Sequence, residues 1–447
     1  MAAQTCEIVA QADFCLPTSL PMQRSHRKGL EQPLHSPRPM PSAPSAASSL
    51  TLDEPPTQLT ARRLKVGILA NEVFATDVGR MGGFGWAVQQ VSRCFSNVES
   101  PGVDPVILMG ERVQSGEPLT PHLHGSRVIW PSSSLWKWAR RIQRERIDLL
   151  LSIDFRPNYR FFYTLLPRTP ILLWVRDPWD DEDRAIIAKL RVPGDHTPPQ
   201  GVSPPRTRTL SGMFQLSRLT GRSMMIAVTT PSLAPKIEST YGVHASEVFV
   251  LPNIVEPPIG PVRKSERPVV AFLARLDPVK RPWLLMTLAA RMPEIDFVVM
   301  GQSHFRGAGS WQPGELPRNV RLVGHANEPT KRAVLESAWI LLNTSIHEGL
   351  SVSFLEALAY ETPVVSSVNP ENVVRRFGEW VGRFPGVGED GLDRFEAALR
   401  KLIGDGVRRA RLGAEGRRWV ESTHCRSEFL QSFNRICSKA MFQREAL

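Results

Sequence analysis

Trp339–Val368 reads WILLNTSIHEGLSVSFLEALAYETPVVSSV. The apolar run Ile340–Asn343 predicts a buried strand. Thr344–Val352 is polar and carries a glycine, which predicts a loop. Ser353–Tyr360 has a helical pattern, and Pro363–Val368 is a second apolar, β-branched run. Strand, loop, helix and strand in this order build open parallel α/β sheets. Such sheets hold ligands where a strand ends in a loop that feeds a helix N-terminus. The loop carries Glu348 and the helix carries Glu356, with seven residues between them. Ser353 and Glu356 also fit a capping box, and on that reading Glu356 does no more than start a helix. Glu348 stands beside Gly349 among short side chains, where backbone can approach a ligand closely.

The chain has 447 residues, too many for one ordinary core, so two domains are expected. It is 42% hydrophobic but has no apolar run near the ~20 residues of a membrane span. The five cysteines (Cys6, Cys15, Cys94, Cys425, Cys437) are scattered, with no C-x-x-C. This pattern suits a reducing compartment and excludes a disulfide framework or a cysteine zinc site. Net charge is +11, yet residues 1–60 hold four basic and five acidic groups, so the excess lies in the rest of the chain. Nucleotide diphosphates and anionic lipid are the expected partners. No nucleic-acid-binding motif is present.

Residues 1–60 are rich in proline, serine and alanine and read as a disordered extension without a secretory signal. Leu64–Ala70 is a buried-type strand. Gly82-Gly83-Phe84-Gly85 follows and opens an apolar-periodic helix through Trp86, Val88, Val91 and Phe95. A glycine loop at a helix N-terminus suits an anion, and a tight turn without a ligand is the alternative. The spacing is not G-x-G-x-x-G, so a dehydrogenase is disfavoured. Leu135–Arg146 is a basic helix with Trp136 and Trp138. It suits either packing on the sheet with a solvated basic face or contact with anionic membrane. Asp181-Glu182-Asp183 is a D-x-D inside an acidic run and reads as a solvated loop at a helix start rather than a metal site. His122 and His124 make an H-x-H pair in a loop; with no third ligand they read as surface residues rather than a metal site. Residues 193–211 hold five prolines and read as an inserted loop. Prolines from Pro252 to Pro261 mark a linker. The second half restarts at Pro268–Leu273. Its next loop carries Arg275 and Lys280, a fork and a point charge fit to clamp a diphosphate. The last helical stretch covers residues 426–442.

Together, HEGLSVSFLEALAYETPVV, the Arg275/Lys280 pair, Gly82-Gly83 and VFVLPNIVEP resemble the retaining glycosyltransferases of family 4. The resemblance covers residues 64–440 and implies an α/β, GT-B fold: two doubly wound Rossmann-like domains facing a cleft. The domains would be 61–258 for the acceptor and 259–425 for the nucleotide-sugar donor. Residues 426–447 would form a helix packing back on the first domain. The implied activity is transfer of a hexosyl group, with retention, from a UDP- or GDP-sugar to a glycan, lipid-linked or small-molecule acceptor. Neither resident cofactor nor metal is implied. The implied catalytic residues are Glu348, Arg275 and Lys280; the implied donor-binding residues are Glu356, Gly83, Gly349, Leu350 and Ser351. The setting would be cytoplasmic, with peripheral contact at the inner membrane face if the basic helix docks there.

This chain departs from the family at several points. Ala274, Arg281 and Glu361 replace glycines, and Asn369-Pro370-Glu371-Asn372 replaces a Gly-Gly loop. Arg176 and Asp154 stand where a donor-contacting histidine is usual. That departure motivates two alternatives: a nucleotide-sugar-binding protein without transfer, and a GT-B epimerase or phosphorylase.

Overall fold

A computed structural model describes residues 63–73, 82–97, 102–111, 120–202 and 207–445; the 1–60 extension lies outside them. The first half comprises β1 (Leu64–Ala70), α1 (Gly83–Ser96), β2 (Val103–Met109), β3 (His122–Leu123), β4 (Ser126–Ile129), α2 (Leu135–Arg144) and β5 (Leu149–Ile153). It continues through α3 (Arg160–Leu165), β6 (Ile171–Val175), α4 (Asp181–Ala188), α5 (Thr207–Thr220), β7 (Met224–Val228), α6 (Ala234–Tyr241) and β8 (Phe249–Val250). These strands form one sheet in the order β3-β4-β2-β1-β5-β6-β7-β8. All pairings are parallel except β3 with β4. Its central strands are near-continuous apolar runs because helices cover both faces.

The second half comprises β9 (Val269–Leu273), α7 (Pro282–Arg291), β10 (Asp296–Met300), β11 (Val320–Gly324), α8 (Glu328–Ser337), β12 (Ile340–Asn343) and α9 (Val352–Ala359). After these come β13 (Val364–Ser366), α10 (Val373–Phe377), β14 (Gly378–Trp380), α11 (Leu392–Gly404), α12 (Gly406–Thr423) and α13 (Arg426–Glu445). The second sheet is wholly parallel, in the order β11-β10-β9-β12-β13-β14. The chain leaves β9 in one direction through β10 and β11, then returns to its other side at β12. The loops after β9 and β12 therefore diverge, and the crevice between them is the ligand position in such sheets.

One apolar cluster runs from α1 and the first sheet through Leu251, Ile254 and Val255 of the linker to α9. Helix α13 sets Phe429 and Phe433 against Phe95 of α1, with centroids 5.9 and 4.8 Å away, and Phe429 also meets Trp174 of β6. Among the described residues no helix is long and apolar enough to cross a membrane.

Three local readings are corrected. The proline-rich loop ends early, because α5 already begins at Thr207. His122 lies in a hairpin strand rather than a loop; His124 and Gly125 turn at φ 52° and 82°, the positive pair that a tight two-residue hairpin requires. Asp183 is buried rather than solvated, for reasons given below.

Candidate active site

The loops after β9 and β12 are joined through their own polar atoms. Ile346 N–H donates to Val279 O at 3.0 Å, and Thr344 Oγ1 donates to Lys280 O at 2.7 Å. The join places Lys280 Nζ 2.7 Å from Glu348 Oε1. Ser345 Oγ and Asn343 Nδ2 donate to the same oxygen at 2.6 and 3.1 Å. Three donors thus converge on Oε1, and among the described residues none donates to Oε2.

Arg281 holds this arrangement from beneath. Its guanidinium is fully buried and donates to the carbonyls of Thr344, Ser345 and Phe384 and to Ser367 Oγ. Burial lowers its pKa to about 10. Its backbone sits at φ 46°, in the left-handed region that glycine favours. Glu361, Glu371 and Asn372 sit likewise at φ 55°, 53° and 56°. The backbone that glycines would favour is therefore kept at these replaced positions.

Arg275 turns to Asp277, with Nε 3.2 Å from Oδ2. The structure does not pair it with Glu348 or Glu356. Gly349 is dictated by close approach: a Cβ there would lie 2.6 Å from Arg176 O and 3.0 Å from Asp177 Oδ1. Leu350 is buried beside it, and Ser351 is the N-cap of α9. The capping box is not formed. Ser353 lies inside the helix, the Ser351 side chain caps nothing, and no acid occupies the first turn. The positive end of α9 is thus left uncompensated.

Glu356 instead pairs with Lys331 of α8, Oε1 to Nζ at 2.5 Å, and Lys331 also reaches Glu328 at 3.2 Å. Burial raises the Glu356 pKa, and the Lys331 charge opposes the rise. The Trp86 indole of α1 faces the same carboxylate from across the cleft, short of hydrogen-bond geometry. Gly83 begins that helix with open space where a Cβ would stand, so packing alone does not require glycine there.

Sequence reasoning missed a buried group that helps tie the two halves together. His347 is 6% exposed. Its Nε2 lies 2.8 Å from Asp177 Oδ1 and its Nδ1 3.2 Å from Asp183 Oδ1. Asp183 also binds Lys236 of α6, and Trp179 packs its ring edge-on to the imidazole. Burial works against a charged imidazole here, but the two aspartates outweigh it and raise the pKa to about 9. Burial likewise opposes the charged Asp177 carboxylate, yet His347 holds its pKa below the usual range. The rest of the acidic run is also paired: Asp181 with Arg184 and Glu182 with Arg383. Arg176 is buried over the Trp174 ring at 4.6 Å with Nη1 unpartnered. Burial raises the Asp154 pKa to about 6. No local signal marks these pairings, since His347 and Asp177 are 170 residues apart.

The stretch that forms the second sheet has a counterpart among known families. Residues 260–419 match the family described as Glycosyl transferases group 1. This glycosyl transferase match includes Arg275, Lys280, Glu348 and Glu356. Over 127 residues the chain is 30% identical to a poly(ribitol-phosphate) alpha-N-acetylglucosaminyltransferase of Staphylococcus aureus, 27% of this chain and 25% of that one. Over 170 residues it is 28% identical to a GDP-mannose-dependent monoacylated alpha-(1-6)-phosphatidylinositol monomannoside mannosyltransferase of Corynebacterium glutamicum, 35% and 43% of the two chains. The chain thus spans a quarter of one relative and under half of the other.

The whole fold has solved counterparts. Sucrose-phosphate synthase from Thermosynechococcus elongatus superposes with a TM-score of 0.64 at 15% identity, covering 85% of this chain and 99% of that one. HepE of Anabaena, in complex with UDP-glucose, superposes with a TM-score of 0.60 at 12% identity, covering 84% and 99%. The architecture is GT-B.

Proposed function

We propose that the protein is a retaining glycosyltransferase that moves a hexosyl group from a UDP- or GDP-sugar to an acceptor hydroxyl. The convergence of Lys280 and Glu348 at the crevice between β9 and β12 carries this reading. The relatives named for N-acetylglucosamine transfer and for GDP-mannose, and the neighbour holding UDP-glucose, support the donor class. Arg275, Lys280 and the bare N-terminus of α9 offset the charge that grows on the diphosphate as the C1–O bond breaks. These groups make a metal unnecessary for that task. Glu348 orients the donor sugar through its open oxygen and steadies positive charge at C1. Glu356, exchanging its contact with Lys331, accepts the ribose hydroxyls. The acceptor oxygen bonds to C1 on the face the diphosphate leaves, and its proton passes to the departing phosphate oxygen.

The test begins with melting of the purified chain, in EDTA, against UDP-, GDP-, ADP- and TDP-sugars. A ligand at a hundred times its Kd adds about 2.7 kcal/mol of stability. Turnover of the stabilising donor is then compared with that of Glu348→Gln, which is expected to bind nucleotide but lose transfer. An undiminished variant ends the role given to Glu348. Arg176 and Asp154, standing where a histidine is usual, favour a second reading, binding without transfer; measurable turnover of any donor rejects it.

A further inference from the structure

The segment from the end of α4 into the proline-rich stretch has no part in the site described above, yet it is not a free loop. By sequence it belongs to the first half, between β6 and β7. By packing it belongs to the second. Ile187, Leu190 and Val192 are buried in a cluster whose other buried members, such as Phe272, Leu285, Val299 and Phe395, all come from the second half. Trp179, Ile186 and Val202 pack against the same cluster. The root of this arm stays with the first half: Asp183 pairs with Lys236 of α6, and Thr240 Oγ1 donates to Trp179 O at 3.0 Å. Past Val192 the arm is bonded to the loop that follows β10. Gln200 N–H donates to Gly309 O at 2.7 Å, and Gly309 N–H donates to Asp195 Oδ2 at 2.7 Å. Gln200 Nε2 donates to Arg306 O at 3.2 Å and to Ala308 O at 2.5 Å. Glycines make room at this join: a Cβ on Gly201 would lie 2.4 Å from the Phe305 ring, and one on Gly309 would lie 2.3 Å from Pro198 O. From the same β10 loop His304 N–H donates to Asp277 Oδ1 at 3.3 Å. Arm, loop and the turn that carries Arg275 and Lys280 are thus joined in series.

Side chains on a strand alternate between the two faces of its sheet. Val298 and Met300 of β10 point into the cluster that holds α1, the linker and α9, whereas Phe297 and Val299 point into the cluster that holds the arm. The first half therefore grips the second sheet from both faces, through α1 and the linker on one and through the arm on the other. Halves joined by a linker alone can rotate about it. A second attachment on the opposite face removes that freedom, because parting the halves would draw Ile187, Leu190 and Val192 out of an apolar core into water.

We infer that residues 187–202 are a strap that fixes the separation of the two halves, so that the cleft between them keeps one width with or without a ligand. Ligands then enter along its open edge rather than by parting of the halves. The strap does not depend on the transferase reading, and its test needs no ligand.

Hydrogen exchange and small-angle scattering on the full chain supply that test. In the wild type, peptides covering 186–192 are expected to exchange as slowly as those of α7, which shares their core. Leu190→Asp puts a charge into that core and should expel the arm. Asp195→Ala combined with Gln200→Ala cuts the bonds to the β10 loop. Neither of these two residues is buried, so the double variant keeps the test open if Leu190→Asp does not fold. Each variant is expected to speed exchange over 303–309 about tenfold or more. Each is also expected to increase the radius of gyration, while β1 and β12 exchange as in the wild type. Exchange of 186–192 in the wild type at the rate of an exposed loop would overturn the strap. So would folded variants whose scattering matches that of the wild type.

Discussion

Replacing His347 with glutamine should remove one contribution to stability that is lost between neutral and alkaline conditions. The imidazole links a donor-side loop to two aspartates of the first half, and its pKa is raised to about 9 from an ordinary 6.5. A group with a raised folded-state pKa contributes stability in full below its unfolded pKa and loses it as pH rises through the folded value. The contribution is therefore complete below pH 6.5 and is lost by about pH 9. The rise from 6.5 to about 9 corresponds to about 3 kcal/mol. The lowered pKa values of Asp177 and Asp183 reflect the same contacts from the other side and are not added. They protect the clasp down to the ordinary carboxylate range, below which acid removes it. For a chain of this size the loss corresponds to a fall in Tm of roughly 3–6 °C. Melting curves of wild type and His347→Gln from pH 5.5 to 9.5 test the idea, since groups common to both proteins cancel in the difference. The wild-type advantage should shrink steadily above pH 6.5. Parallel curves would refute the assignment of a charged His347.

Other substitutions probe the same region. Lys280→Met removes a charge-assisted contact worth roughly 1.5–3 kcal/mol, so turnover with the stabilising donor should fall ~10–100-fold. Gly349→Ala forces a methyl against the Arg176 carbonyl, which costs about 1–3 kcal/mol and should lower both Tm and transfer; an unchanged Tm would show that the loop yields freely. Glu371→Gly relieves a left-handed residue whose side chain accepts a hydrogen bond from the exposed Ser232 amide, so chemical denaturation should show a gain of about 1 kcal/mol.

Much of the frame was legible because parallel strands covered on both faces are unbroken apolar runs. LKVGILA at 64–70 and ILLN at 340–343 have the predicted bounds. Short elements were not legible: α10 and β14 take eight residues between them, and the β3–β4 turn lacks the asparagine-glycine signal. The spacing of Glu348 and Glu356 was plain, but their partners were not. Lys331 lies 25 residues from Glu356 and Lys280 lies 68 from Glu348, and only the folded sheet brings them together. The reading of Ser353 and Glu356 as a cap failed because a tertiary contact with Lys331 outcompeted a local one. The glycine replacements were visible as departures, whereas the left-handed backbone beneath them was not.

Arg281 bears on the thermodynamics of anion capture. Its side chain fastens the carbonyls of Thr344, Ser345 and Phe384, so the loop leading to Glu348 is already immobilised before any ligand arrives. A loop with little freedom left surrenders little entropy on binding, so more of the contact energy remains as affinity. The same rigidity limits tolerance: a loop pinned in one shape fits one spacing between cation and carboxylate, and ligands that need another spacing meet a wall rather than a hinge.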